Sequence, residues 1–362
     1  MDIKNTYFKY NTLIWAGLLL AQICFFYFIS KSQKLLSFHI YFFEWQKAVH
    51  QKIFSWIPFS IGDVFYIILG VYILGIFIKS FKNRKKSFKQ ICILLNICYL
   101  TYQLIWGLLY FQPPIIEKLP EGKSNLNDIK RLTEIYFNKC IADRALIHEN
   151  HAGVFKIKNI DSIKKEILNS QKSIPKKLIN LSTTEVKSIK PSLFADFMSY
   201  TGILGYYNPF TAEAQFNNNI PDTQIPFTLS HESAHQLGIA REEEANFAAF
   251  LMGKNSQNNE LRYSTHYFVL KNLLIHLQNY DPEYVKKMVS EFPVGLEKDF
   301  MEEKAFYKKH EGLLNTVFYI TNDWFLKSNQ QDGSISYSYF IELFIRYETK
   351  ELRFTTQFQK HK

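Results

Sequence analysis

The chain has 362 residues, 47% hydrophobic and 17% aromatic, and a formal net charge of +10. Of its 43 basic and 33 acidic residues, 12 and 3 lie in residues 1–89, which leaves a nearly neutral 31 and 30 beyond. The basicity belongs to the amino-terminal quarter and gives no motive for a nucleic-acid partner, and four cysteines, three of them in apolar runs, cannot build a disulfide framework or a cysteine metal site.

Taken in chain order, the first 112 residues hold three long apolar runs, Thr12 to Ser30, Ile61 to Ile78 and Gln90 to Phe111. Each has about the 17 to 25 residues a helix needs to cross a bilayer, and Asp63 is their one charge. They predict a membrane anchor over residues 1–112 with helices at about 12–30, 61–78 and 90–111. The first run is too long for a cleaved signal peptide, and KSQK follows it where a small-residue cleavage site would stand. Between the second and third runs, Lys79 to Lys89 carries six basic residues in eleven positions, whereas the longer loop Lys31 to Ser60 carries only four lysines. The positive-inside rule then places the short loop and the amino terminus in the cytoplasm, and everything after Phe111 outside. The expected location is a multi-pass protein of the inner (cytoplasmic) membrane, with the lipid bilayer as a partner.

Pro113 and Pro114 end the third run, and residues 113–362 are enough for one sizeable core. Asn125 to Glu149 reads as a helix, with Ile129, Leu132, Ile135, Tyr136 and Cys140 on one stripe. Lys156 to Leu181 reads as a helix and a solvated loop. The turn-like YYNPFT separates Phe194 to Leu204 from Glu213 to Phe216 and predicts two short strands or a hairpin. Further helices are expected at Leu261 to Asn279, Pro282 to Glu291, Leu296 to Phe325 and Tyr337 to Tyr347, the last two separated by a loop centred on Gly333. The fold class is α+β and mainly helical.

The chemistry is concentrated in HESAHQLGIAREEEANFAAF, His231 to Phe250. His231 and His235 stand one helical turn apart on the same face and can aim nitrogens at a single ion. Glu232 follows the first histidine, where a carboxylate can take the proton of a zinc-bound water whose pKa has fallen to about 7. Gly238 closes that helix, and a second helix restarts at once with Glu242, Glu243 and Glu244 in its first turn, where acids also suit the helix dipole. Glu242, Ala245, Asn246 and Ala249 share one face, and the alanines permit close packing on the histidine helix. Glu242 is the acid best aimed at the metal, and Glu243 points about 100° away.

HExxH followed by E-x-x-A-N resembles the gluzincin pattern of membrane-bound and regulatory bacterial metallopeptidases. That resemblance implies Glu242 as third ligand and Asn246 in the layer behind the ligands; the tight spacing between the motifs leaves Glu244 as the alternative ligand. WGLLYFQPP (Trp106 to Pro114), GYYNPFTAEAQFN (Gly205 to Asn217), the HExxH stretch and NDWFLKSNQQDGSISYS (Asn322 to Ser338) together resemble a bacterial family of membrane-anchored, zincin-like proteins, domain of unknown function 3810. The resemblance implies a zincin-like domain over 113–362 holding one Zn2+ ion. In such folds a peptide substrate adds to an exposed sheet edge, and Glu213 to Asn217 is placed to be that edge, with Glu213 in a substrate or structural role near the metal. An oxyanion stabiliser is commonly a His or Tyr outside the motif, which points to Tyr337 and, less well, His266. His148 and His151 have the wrong spacing and read as surface residues.

The expected activity is that of a membrane-tethered zinc-dependent metallopeptidase acting on a peptide or protein, with Glu232 as general base. The alternative is a non-catalytic, membrane-anchored binding or sensory protein on the same scaffold. Substrate and oligomeric state stay open.

Overall fold

The computed structural model describes residues 3–121, 125–175, 177–179, 186–329, 331–333 and 339–359, and the chain in it divides into two units. One comprises Met1–Gln112 with Asn208–Glu213, the other Pro113–Tyr207 with Ala214–Lys362. Mainly helical throughout, the protein adds a single small sheet among the described residues.

The first unit contains α1 (Ile3–Ser30), α2 (Gln33–Phe54), α3 (Ile61–Ser80), α4 (Arg84–Ile105) and a 3-10 turn, Gly107–Phe111. Leu13–Ser30, Ile61–Ser80 and Arg84–Ile105 are long and apolar enough to cross a membrane by length and composition; 20 residues at 1.5 Å each cover about 30 Å. The third expected span is shifted. Asn83 caps α4 by accepting from the Lys86 amide, so the helix starts within the basic run, and the backbone leaves the helix at Trp106 with φ −148°. Leu108 then packs with Phe26 and Leu36 in a small core.

The stretch from Lys31 to Ser60, expected as a loop, is mostly the helix α2. Its buried face carries Leu36, His39, Phe43, Gln46, Lys47 and Gln51, so the face that packs is largely polar and escapes a search for an apolar stripe. Those polar groups are engaged: Gln46 and Gln51 donate to the carbonyls of Pro209 and Ala212, and Lys47 pairs with Glu44 at 2.7 Å.

In the second unit the elements run α5 (Leu126–Arg144), α6 (Ile160–Ser170), β1 (Ile189–Pro191), α7 (Ala195–Thr201), β2 (Gly205–Asn208), β3 (Glu213–Phe216), α8 (Ile225–Gln236), α9 (Glu242–Gly253), α10 (Asn259–Gln278), α11 (Pro282–Ser290), α12 (Val294–His310), α13 (Leu313–Ser328) and α14 (Phe340–Gln359). Asn125 and Asn258 cap α5 and α10 through their side chains. The apolar stripe of α5, Ile129, Leu132, Tyr136 and Cys140, enters a core with Leu270 and Leu273 of α10, Phe250 of α9 and Phe344 of α14. A second core joins Ile163 and Ile167 of α6 to Ala214 and Phe216 of β3, Leu229 and Ala234 of α8, and Ala245 and Ala248 of α9. Helix α9 therefore contributes to both cores, its phenylalanines to one and its alanines to the other. A fully buried Phe contributes about 1.5–3 kcal/mol, so the site-bearing helices are held on several sides.

Three expectations need correction here. The sheet order is β1-β3-β2, with β1 parallel to β3 in the register Ile189↔Ala214 and Pro191↔Phe216. Glu213 to Phe216 is thus the middle strand, with all four residues buried, and does not form an exposed edge. The covering strand β1 has three residues, too few for a periodic signal. Residues 195–201 form the helix α7, stopped by Gly202 in the left-handed region at φ +76°, where a strand was expected. The single long helix expected from Leu296 to Phe325 is two, α12 and α13, parted at Glu311 and Gly312.

Candidate metal centre

Helix α8 starts with Pro226 in its first turn and ends in a glycine turn of the Schellman type. Gly238, at φ +100°, donates to the His235 carbonyl at 2.9 Å, and Ile239 donates to the Ala234 carbonyl at 3.2 Å. This reversal brings α9 directly against α8. It also turns the Ile239 carbonyl back to accept from Nδ1 of His235 at 2.7 Å. At the start of α9, Arg241 offers no side-chain cap, and Gln331 Oε1 accepts from the Glu242 amide at 3.1 Å. Sequence inspection gave no sign of that contact, which comes from 89 residues away.

Nε2 of His231 lies 3.1 Å from Nε2 of His235 and 3.1 Å from Oε2 of Glu242, and His235 Nε2 lies 3.7 Å from the same oxygen. Among the described residues these three form the group of His, Cys, Asp and Glu able to hold a metal ion, all ligand atoms falling within 4.8 Å. Ligands about 2.05 Å from a tetrahedral zinc are separated by about 3.3 Å, so the observed spacings suit such an ion. The donor chemistry fits as well. A backbone carbonyl only accepts, so His235 carries its proton on Nδ1 and presents the Nε2 lone pair to the cluster. His231 Nδ1 likewise donates to Asn246 Oδ1 at 2.8 Å. Two lone pairs and a carboxylate then face one another, an arrangement that calls for positive charge. Burial alone would lower His235, but the Glu242 carboxylate overrides it and pushes the ring up to about 9. Burial would raise Glu242, and the two histidines hold it far below the ordinary carboxylate range.

Glu232 sits beside this cluster, 3% exposed, with its Oε2 lacking any hydrogen-bond partner. Burial is the main cause that pushes its carboxyl up to about 7; the histidines pull it down and Glu242 adds to the rise. Its carboxylate lies against the backbone of Gly205. A Cβ there would come within 2.7 Å of Glu232 Oε1 and 2.9 Å of the Gln215 carbonyl, so only glycine leaves room for the acid. Nothing in the sequence around Gly205 marks it for this role.

The other sequence-predicted residues are distributed as follows. Asn246 stands behind His231 and orients it. Glu244 turns away from the cluster and accepts from the Ile115 amide at 2.6 Å. Glu213 serves the first unit, accepting from the amides of Gly62 at 2.6 Å and Ile61 at 3.4 Å at the start of α3, and from the Thr211 hydroxyl at 2.9 Å. A carboxylate at a helix amino end is favourable on electrostatic grounds. His266 is tied at both nitrogens, to Asp143 at 2.6 Å and to the Lys254 carbonyl at 3.1 Å, and clamps α10 to α5. His148 and His151 are exposed. Tyr337 lies outside the described residues.

Fold and site together define a mainly helical, membrane-anchored protein carrying a two-histidine, one-carboxylate cluster. The chain belongs to the family described as Protein of unknown function (DUF3810), which it matches over residues 38–345. That span takes in every residue of the cluster. No curated protein and no solved structure matches the chain significantly.

Proposed function

We propose that the protein is a zinc-dependent metallopeptidase of the zincin kind, tethered to the inner (cytoplasmic) membrane with its second unit outside the cytoplasm, hydrolysing peptide bonds in a peptide or protein. The observation that carries this reading is the convergence of His231 Nε2, His235 Nε2 and Glu242 Oε2, with both distal ring nitrogens held by acceptors. A zinc ion bound there supplies Lewis acidity, polarising a peptide carbonyl and bringing the pKa of water to about 7. Glu232 holds the proton released when water adds to that carbonyl and passes it to the departing amine. A carboxyl near 7 whose Oε2 has no hydrogen-bond partner suits this two-way transfer, and a cation in the cluster would shift it toward the ionised base. His231, His235 and Glu242 fix the ion, and Asn246 and the Ile239 carbonyl fix the rings.

The test uses the full chain purified in lipid nanodiscs, with metal analysis beside a peptide-library cleavage assay, for wild type and Glu232→Gln. Expected are one zinc per chain in both proteins and cleavage by wild type that drops by about 10²–10⁴ in the variant. Metal retained with no cleavage by either protein replaces this reading with the non-catalytic binding module.

A further inference from the structure

We propose that α13 is a lipid-contacting helix of the second unit, docking its outward apolar stripe on the surface of an anionic bilayer. The stripe is Leu313, Leu314, Val317, Ile320, Trp324 and Phe325, exposed by 86, 55, 58, 45, 67 and 45%. Their spacing, i, i+1, i+4, i+7, i+11 and i+12, follows one face of a helix. The inner face is mixed: Asn315, Phe318, Asn322 and Asp323 are half-buried, and Leu326 is the only buried residue of α13. Asn315 lies against α7, close enough that a Cβ at Gly202 would come within 2.7 Å of its amide nitrogen. On a helix at the surface of a water-soluble domain the large apolar side chains gather toward the core, whereas on α13 most of them face outward. The two charges on α13, Asp323 and Lys327, pair with each other at 2.7 Å and leave the stripe uninterrupted.

Two observations select lipid as the occupant. Lys304, Lys308 and Lys309 are exposed near the end of α12, with half-buried His310 after them, and α13 begins three residues after His310. Glu302 and Glu311 are the exposed acids of the same stretch, so the charge beside the stripe is net positive. Basic residues adjoining an apolar face with a tryptophan are the composition of helices that lie in the headgroup region of anionic membranes. Moreover, the same chain carries three helices fit to cross a bilayer, so a membrane is within the protein's reach in any oligomeric state. The proposal does not depend on the metal centre.

The test places a benzoylphenylalanine photo-crosslinker at Val317 or Trp324 of the full chain in nanodiscs, with exposed Lys286 on α11 as the control position. Both test positions are exposed, so the fold tolerates the substitution, and far-UV circular dichroism checks it. Mass spectrometry should find lipid adducts at 317 and 324 and none at 286. Their yield should fall by about fivefold in each of Lys308→Gln and Lys309→Gln, the factor that one basic residue near an anionic surface contributes. Adducts insensitive to charge and to headgroup would overturn the anionic preference. Chain-to-chain cross-links, or lipid adducts no more frequent than at 286, would overturn the docking itself.

Discussion

Asn246 is not itself a ligand of the proposed ion, yet its Oδ1 fixes which nitrogen of His231 carries the proton. Replacing it by alanine leaves three ligands in place but frees the ring to turn and to change tautomer. Asn246→Ala is therefore expected to weaken zinc binding by about 10–100-fold, the usual cost of losing a partner behind a ligating histidine, with the fold retained. Competition against a metal chelator measures it, and unchanged affinity would remove Asn246 from the site. The residues legible from sequence are those whose geometry is local. His231 and His235 are one turn apart, and the short Gly238 turn brings Glu242 to them within eleven residues of His231. Glu213 and Gly205 were not legible, for a physical reason. Glu213 meets the amides at the start of α3 some 150 residues earlier in the chain, and the value of Gly205 lies in the space it leaves for a carboxylate on another element. Nothing in a one-dimensional pattern distinguishes a buried acid that caps a distant helix from one that meets a substrate.

At the scale of elements, α8, its glycine turn and α9 act as one device. Gly238 holds φ +100°, a conformation costing about 1–2 kcal/mol for a residue with a side chain, and the Ile239 carbonyl that holds His235 depends on the same turn. Gly238→Ala should lower stability by that amount and weaken metal binding as well, whereas a purely structural turn would give the first effect alone. A second device is the clamp from α5 to α10. Asp143, 6% exposed, accepts from Arg262 at 2.8 Å and from His266 at 2.6 Å. Burial alone would raise its carboxyl, but these two partners hold it below the ordinary range. A depressed carboxyl contributes stability above its unfolded value near 4, and that stability is lost as pH falls through the lower folded value. Asp143→Asn should therefore cost about 3 kcal/mol at pH 7, and the gap from wild type should close at a pH well below 4. Thermal unfolding of both proteins in detergent at the two pH values reads this directly, and an equal gap at both would show that the charge is not what matters. Elements were legible where one face was apolar and long, as in α5 and α10. They were hidden where the packed face was polar, as in α2, or where three residues sufficed, as in β1.

For the whole molecule, the question is which side of the membrane holds the second unit. By the positive-inside rule, the basic cluster around the start of α4, Lys82, Arg84, Lys85, Lys86 and Lys89, would lie in the cytoplasm, and a membrane-spanning α4 would carry the chain across. Only the link from α3 to α4 and a single crossing bear on the side of the second unit. The helix α2, with its polar buried face, lies between α1 and α3 and bears only on the side of the amino terminus. Cys140, the one cysteine beyond the apolar helices, cannot report the answer: it is fully buried, and burial pushes its thiol well above the ordinary value. A new cysteine must be exposed, as Lys286 on α11 and Lys86 on α4 are. With Lys286→Cys in intact cells, an impermeant maleimide should label the protein beyond the level of wild type, whereas Lys86→Cys should react only after lysis. The reverse pattern would place the histidine cluster in the cytoplasm and confine any substrate to that side, while leaving the geometry of His231, His235 and Glu242 as it stands.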